Sequence, residues 1–234
     1  MSTPLNSNDQ PAAIPSLHRT LGISLVASLV TGLFSAWIYF QLPEGALIPV
    51  HWNLAGEADR HGGAATIFLL PGLMAGMSLL FYFLPRIEPR RAHLLASSKA
   101  YRWVWLVIVL MIGAMQIPLA QSVLGRPTSP TPWMHTGLGV LLLVIGNFLG
   151  KVRSNFMFGV RTPWTLSSEL AWNKTHRLAG WIFALGGVLM LLGVVLQVPE
   201  LRLMRFFAAW GGMLVVTCLI YSYLVWRRDP NKAP

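Results

Sequence analysis

LAGWIFALGGVLMLLGVVLQV, residues Leu178 to Val198, carries no charged side chain. Its length is close to the ~20 apolar residues that cross ~30 Å of hydrocarbon. A helix that is apolar all round belongs in a large core or in lipid. Five further uncharged runs share this character: Leu21 to Leu42, Ala64 to Leu84, Trp103 to Leu124, Trp133 to Gly150 and Phe206 to Trp226. Composition agrees, with 54% hydrophobic and 11% charged residues and a mean hydropathy of +0.56, where soluble domains carry about 25% charged residues. The expected fold class is an all-α integral membrane protein, a bundle of six transmembrane helices.

The net charge of +10 would point to nucleic acid in a soluble chain, but here its placement gives another reason. Only Arg60, Arg126, Arg202 and Arg205 fall on one set of alternating connections; the other 14 of the 18 Lys and Arg fall on the opposite set and the termini. Cytoplasmic loops collect Lys and Arg, so both termini are expected on the cytoplasmic side, and no nucleic acid is needed. Met1 to Pro15 is polar and lacks a periodic face. It reads as part of a disordered tail over 1–17, not as a signal peptide. One unit is expected over 18–100, a second over 101–228, and a C-terminal tail over 229–234.

The apolar runs hold no Asp, Glu, Lys or Arg, and ion-coupled carriers place such groups in the membrane. Gln116 and Asn147 read as interhelical hydrogen bonders. Gly72 with Gly76, and Gly146 with Gly150, have the spacing that allows close helix contact. Pro71 and Pro118 are candidate kinks. The single Cys218 excludes an intramolecular disulfide and reads as a packing residue.

Two polar stretches interrupt the apolar pattern. Pro43 to Gly63 joins the first two runs on the expected outer side. Ala46 to Trp52 reads as a short extended segment, and Asn53 to Gly56 as a turn. His51, Glu57, Asp59 and His61 have adequate chemistry for a divalent metal, but their spacing matches no strong metal signature. The alternatives are loop-fixing hydrogen bonds from His51, Asn53 and Asp59, or recognition of an outer-side partner.

Lys151 to Arg177, KVRSNFMFGVRTPWTLSSELAWNKTHR, lies on the expected cytoplasmic side. Thr165 is a candidate N-cap with Glu169 near the positive helix end. Leu166 to Arg177 then reads as an interfacial helix, continuous with or just before the fifth apolar run, on which Trp172 and His176 are neighbours one turn apart. One reading is a rigid staple between helices, with Arg161 paired to Glu169. The other is a recognition surface built from Arg161, Trp164, Trp172 and His176. Ser167, Ser168 and Thr175 lie near His176, but no triad spacing supports catalysis.

The two stretches resemble the SdpI family of bacterial membrane proteins. Pro49-Val50-His51-Trp52-Asn53, then Gly56 and Asp59, is similar to the amino-terminal element known as DUF1648. Asn155-Phe156, Gly159-Val160-Arg161-Thr162-Pro163-Trp164-Thr165, then Trp172 and Lys174-Thr175-His176-Arg177, is similar to the second family signature. Ser154 departs from it, standing where proline or lysine is more usual. The resemblance implies an immunity role against a secreted peptide toxin, and retention of a transcriptional repressor at the membrane.

The resulting expectation is a non-enzymatic membrane protein with no cofactor, whose partners are the lipid bilayer, a peptide toxin and a cytoplasmic repressor. His51, Asn53, Gly56 and Asp59 are the expected outer-side binding residues. Asn155, Gly159, Arg161, Thr162, Pro163, Trp164, Glu169, Trp172 and His176 are expected to bind the cytoplasmic partner or to form a structural motif. The rival functions are a transporter of lipid or small molecules, and a metal-dependent membrane enzyme using His51, Asp59 and His61.

Overall fold

The computed structural model describes residues 9–53, 57–126 and 129–232, with side chains described from residue 16 onward. Six helical stretches in it are long and apolar enough to cross a membrane: Ser16–Tyr39, Ala64–Ile87, Ser98–Val123, Thr131–Leu149, Glu169–Val195 and Glu200–Arg227. Large apolar side chains such as Leu29, Leu33, Leu80, Val195 and Ile220 face outward along them. That is the surface of a multi-pass membrane protein, since soluble monomers rarely expose such continuous apolar area.

Helix α1 spans Asp9–Tyr39. Its described part begins within the stretch expected to be a tail. Met1 to Asn8 lie outside the described residues. Ser24, Ser28, Thr31 and Ser35 form a polar stripe on α1, and each hydroxyl donates to a carbonyl one turn back. Such bonding lets them lie in an apolar bundle without stranded donors.

A hairpin follows, of strands β1 (Leu47–Trp52) and β2 (Ala58–Gly63), paired antiparallel with irregular register around His51. The all-α expectation missed it. Ile48 and Val50 signal β1, but Ala-Asp-Arg-His-Gly-Gly has no β-branched or aromatic residue, so β2 is strand only through its partner.

A 3₁₀ turn at Ala64–Phe68 leads into α2 (Leu69–Ile87). Short α3 (Arg91–Ala96) precedes α4 (Ser98–Ala114) and α5 (Gln116–Val123). The third span is thus broken at Met115. Pro118 causes this: it has no N–H for the carbonyl of Ala114, four residues back. Gln116 bonds across the break, donating to Ser35 Oγ at 2.9 Å and to the Ile67 carbonyl at 3.4 Å.

The second half comprises α6 (Thr131–Leu149), α7 (Pro163–Ser167), α8 (Glu169–Val195) and α9 (Glu200–Arg227). The α6–α8 pair is the most extensive packing in the molecule. Gly146 lies in its seam, where a Cβ would meet Ala184 N at 2.5 Å and Gly180 O at 2.7 Å. Gly72 and Gly76 have open space instead, so that pair is not a helix contact. Asn147 is exposed and makes no interhelical bond, contrary to the expectation, because it projects from the groove side of the α6–α8 seam.

The core divides by level. Ile38, Ile48, Ile67, Leu119 and Ala120 seal the hairpin end. Leu17, Met74, Leu94, Leu95, Tyr101, Trp105 and Val109 fill the other end, with Met157 and Phe158 of the motif loop packed against them.

Candidate functional site

The hairpin end builds its site from local bonds. His51 Nδ1 and Asp59 Oδ1 are 2.5 Å apart, the one ion pair among the described residues. This hydrogen bond holds the Asp59 carboxyl below its ordinary value. The backbone N–H of Asn53 donates to the Glu57 carbonyl at 2.9 Å, and the N–H of Glu57 donates to Asn53 Oδ1 at 3.0 Å. Of the three residues of the loop-fixing reading, Asn53 bonds the loop backbone, while His51 and Asp59 bond each other through their side chains. Gly56 lies outside the described residues. His61 stands across from Pro49 in the ladder. Among the described residues, no three His, Cys, Asp or Glu side chains converge to hold a metal.

Beneath the hairpin lies a cavity of about 420 Å³. His51 and Asn53 stand at its wall with Trp52, while Leu119, Met134 and Met204 make it apolar. Glu200, at the start of α9, is its carboxylate and accepts from Thr131 Oγ1 at 3.1 Å. Glu200 and Thr131 carried no signal in the sequence, because both sit at helix starts far from the His51 stretch.

The opposite end holds the second motif, in which Asn155, Thr162, Thr165, Trp172 and His176 are buried. Asn155 Oδ1 accepts from the N–H groups of Met157 and Phe158, both at 2.9 Å, and folds the loop back on itself. Gly159 has φ +114, a conformation open to glycine and strained for other residues. A Cβ there would collide with His176 Nε2. The N–H of Val160 donates to that nitrogen at 3.0 Å, so Nε2 carries the lone pair; the proton is on Nδ1, 2.8 Å from the Trp172 carbonyl it serves. Trp172 stacks on His176 at 3.9 Å between ring centroids and donates Nε1–H to the Val152 carbonyl at 2.7 Å.

The helix starts differ from expectation. Pro163 takes the first position of α7, so the preceding Thr162 is the N-cap; Thr165 closes a capping box with it. Ser168 caps α8, receiving the N–H of Ala171 at 2.9 Å. Helix α8 is continuous from Glu169, whereas Leu166 belongs to α7. Arg161 donates to the Phe156 carbonyl rather than pairing with Glu169, which is exposed in the first turn of α8. Trp164 packs edge-on against Tyr223 of α9 at 5.4 Å.

Sequence reasoning missed the groups that anchor this loop. Glu88, only 4% exposed, accepts from the N–H groups of Arg90 and Phe156 at 2.9 and 3.1 Å. Arg90 donates to Ser154 and lies over the Phe156 ring at 4.7 Å. His93 Nδ1 meets the Ser154 carbonyl at 2.9 Å. Ser168 donates to Asp229 at 2.5 Å, which depresses the Asp229 carboxyl's pKa. Ser154, the departure from the family pattern, is therefore a tie point between the motif loop and the α2–α3 connection. Glu88 was the one legible hint: it is an acidic residue in an otherwise basic connection.

These features define a multi-pass helical membrane protein with a hairpin-covered cavity at one end and a packed polar loop at the other. Known proteins show what the chain is similar to. Residues 151–225 match the family model described as SdpI/YfhL protein family, and residues 26–75 match a domain of unknown function, DUF1648. The chain is 27% identical to Immunity protein SdpI of Bacillus subtilis over 203 residues, which is 87% of this chain and 89% of that protein. No solved structure matches it. Both expected resemblances are thereby met by the segments that carry the two motifs.

Proposed function

We propose that this chain is an SdpI-like immunity protein, without enzymatic activity, that protects its cell from a membrane-active peptide toxin. The toxin meets the hairpin end on the outer side. A cytoplasmic regulator meets the opposite end, so contact at one end is signalled at the other. The name of the Bacillus subtilis relative supports the immunity part of this reading.

The cavity beneath the hairpin is the observation that carries it. Its apolar wall suits the apolar part of a membrane-active peptide, and Glu200 with the His51–Asp59 pair offers polar contacts at its edge. At the other end, Asn155, Thr162, Trp172 and His176 are buried, so a regulator would meet Arg161, Pro163, Trp164 and Glu169.

Separate substitutions test this division. In cells expressing each variant at normal level, His51→Ala is expected to abolish survival against a peptide toxin to which the wild type is resistant. Arg161→Ala is expected to spare survival and weaken capture of a cytoplasmic regulator. Full resistance and full signalling in both variants would sink the proposal.

A further inference from the structure

The motif end carries a second depression, on the outside of the α6–α8 pair. Glycine shapes it. Gly146 and Gly180 bring the two backbones into contact, and a Cβ on Gly150 would stand 3.3 Å from Arg177 Cα. With the seam this deep, the flanking side chains rise as walls around a groove of about 750 Å³. Those side chains are Leu143, Asn147, Lys151, Arg177, Trp181 and Ala184.

Charge gives the groove its chemistry. Lys151 and Arg177 reach it from different helix ends, and both are exposed. Neither meets a carboxylate, since the described residues hold one ion pair and it lies at the hairpin. Asn147, also exposed, adds an amide donor between them and the apolar part. Both cations line the same groove, with Lys151 Nζ over the Phe148 ring at 5.9 Å, and two uncompensated positive charges on one groove favour an anion.

Polarity along the groove gives the ligand its shape. Lys151 follows the end of α6, and Leu143 lies two turns back, about 12 Å deeper toward the middle of the bundle. On α8, Arg177 is followed inward by Trp181 and Ala184. The depression is therefore cationic at the water boundary and apolar below it. Trp181, 73% exposed, stands where an indole reaches a headgroup region.

We propose that this groove is a binding site for an anionic phospholipid. The headgroup phosphate sits between Lys151 and Arg177, Asn147 donates to its ester oxygens, and one acyl chain descends past Trp181 along Leu143 and Ala184. Basic pockets between transmembrane helices favour anionic headgroups in this way. A free phosphate would use the cations but leave the apolar half empty.

The full-length protein in nanodiscs of phosphatidylcholine with a minority of phosphatidylglycerol tests the site, with native mass spectrometry reading the retained lipid. The wild type is expected to retain phosphatidylglycerol in preference, on the order of tenfold, the scale set by two cations near an anionic headgroup. Lys151→Gln with Arg177→Gln is expected to remove the preference. Asn147→Trp keeps both cations but fills the groove, and it is expected to remove the preference too. Arg86→Gln with Arg91→Gln takes the same charge from the same end of the bundle and is expected to change nothing. No preference in the wild type, a preference surviving both groove variants, or equal loss in the Arg86/Arg91 control would overturn the site. Displacement of the lipid by soluble glycerol phosphate at millimolar level would reassign it to a free phosphate.

Discussion

At the scale of single residues, His176 shows how a polar motif residue is used up by the fold. Hydropathy marks Lys151 to Arg177 as polar, and polar residues between membrane spans are ordinarily exposed. Here the loop turns back between helices, so His176, Asn155 and Thr165 meet backbone groups that would otherwise be buried without partners. Burial of this kind depends on Glu88 and Arg90, more than sixty residues away, and no local pattern carries it. Gly159 is the legible exception in hindsight, a glycine placed where a Cβ would strike the imidazole. Gly159→Ala is expected to destabilise the protein by about 1–3 kcal/mol, through its positive φ and the displaced His176. Gly72→Ala, at a helix position with open space, should be neutral or stabilising by up to about 1 kcal/mol. Thermal unfolding of the two variants in one detergent distinguishes them; equal melting points would remove the His176–Gly159 contact as a determinant.

At the scale of elements, the spans were legible from length and charge, while their interruptions were legible only where a residue has one strong backbone effect. Pro118 breaks the third span one turn upstream of itself, as its missing N–H requires. Helix α8 runs without a break through Lys174 and Arg177, so most of the helix expected over Leu166 to Arg177 is the first part of the fifth span. At 27 residues it is about 40 Å long, so its first turns extend beyond ~30 Å of hydrocarbon. Ser168 fixes that projecting end, and Asp229 after α9 holds Ser168. The Asp229 carboxyl is depressed in the folded state by the Ser168 hydroxyl and the Asn231 N–H. A depressed carboxyl adds stability above its unfolded value, and that increment is lost as pH falls through the folded value. Wild type is therefore expected to outlast Asp229→Asn in thermal unfolding at about pH 6, and the gap to narrow progressively as pH falls below the ordinary Asp value of about 3.9. A gap that persists unchanged at the acid end would show that the carboxylate charge plays no part in the clamp.

At the scale of the whole molecule, six crossings in sequence put all connections of one parity at one end. The hairpin, residues 124–126 and 129–130, and residues 196–199 share one end; residues 88–97, the motif loop and residues 228–232 share the other. The cavity confirms the first grouping, since Trp52, Pro130 and Glu200 line it together. The second is confirmed by bonds from Arg90 to Ser154 and from Ser168 to Asp229. The excess of Lys and Arg lies at the motif end, so the reading of both termini as cytoplasmic makes a definite claim about each end. The single Cys218 is buried between helices, and Cys218→Ala gives a background free of cysteine. On that background Glu57→Cys, exposed in the hairpin loop, is expected to react with a membrane-impermeant thiol reagent in intact cells. Lys232→Cys, after α9, is expected to react only once the membrane is opened. The opposite labelling would invert the molecule. It would then place the hairpin cavity in the cytoplasm, out of reach of a toxin arriving from outside, and the roles assigned to the two ends would have to be exchanged.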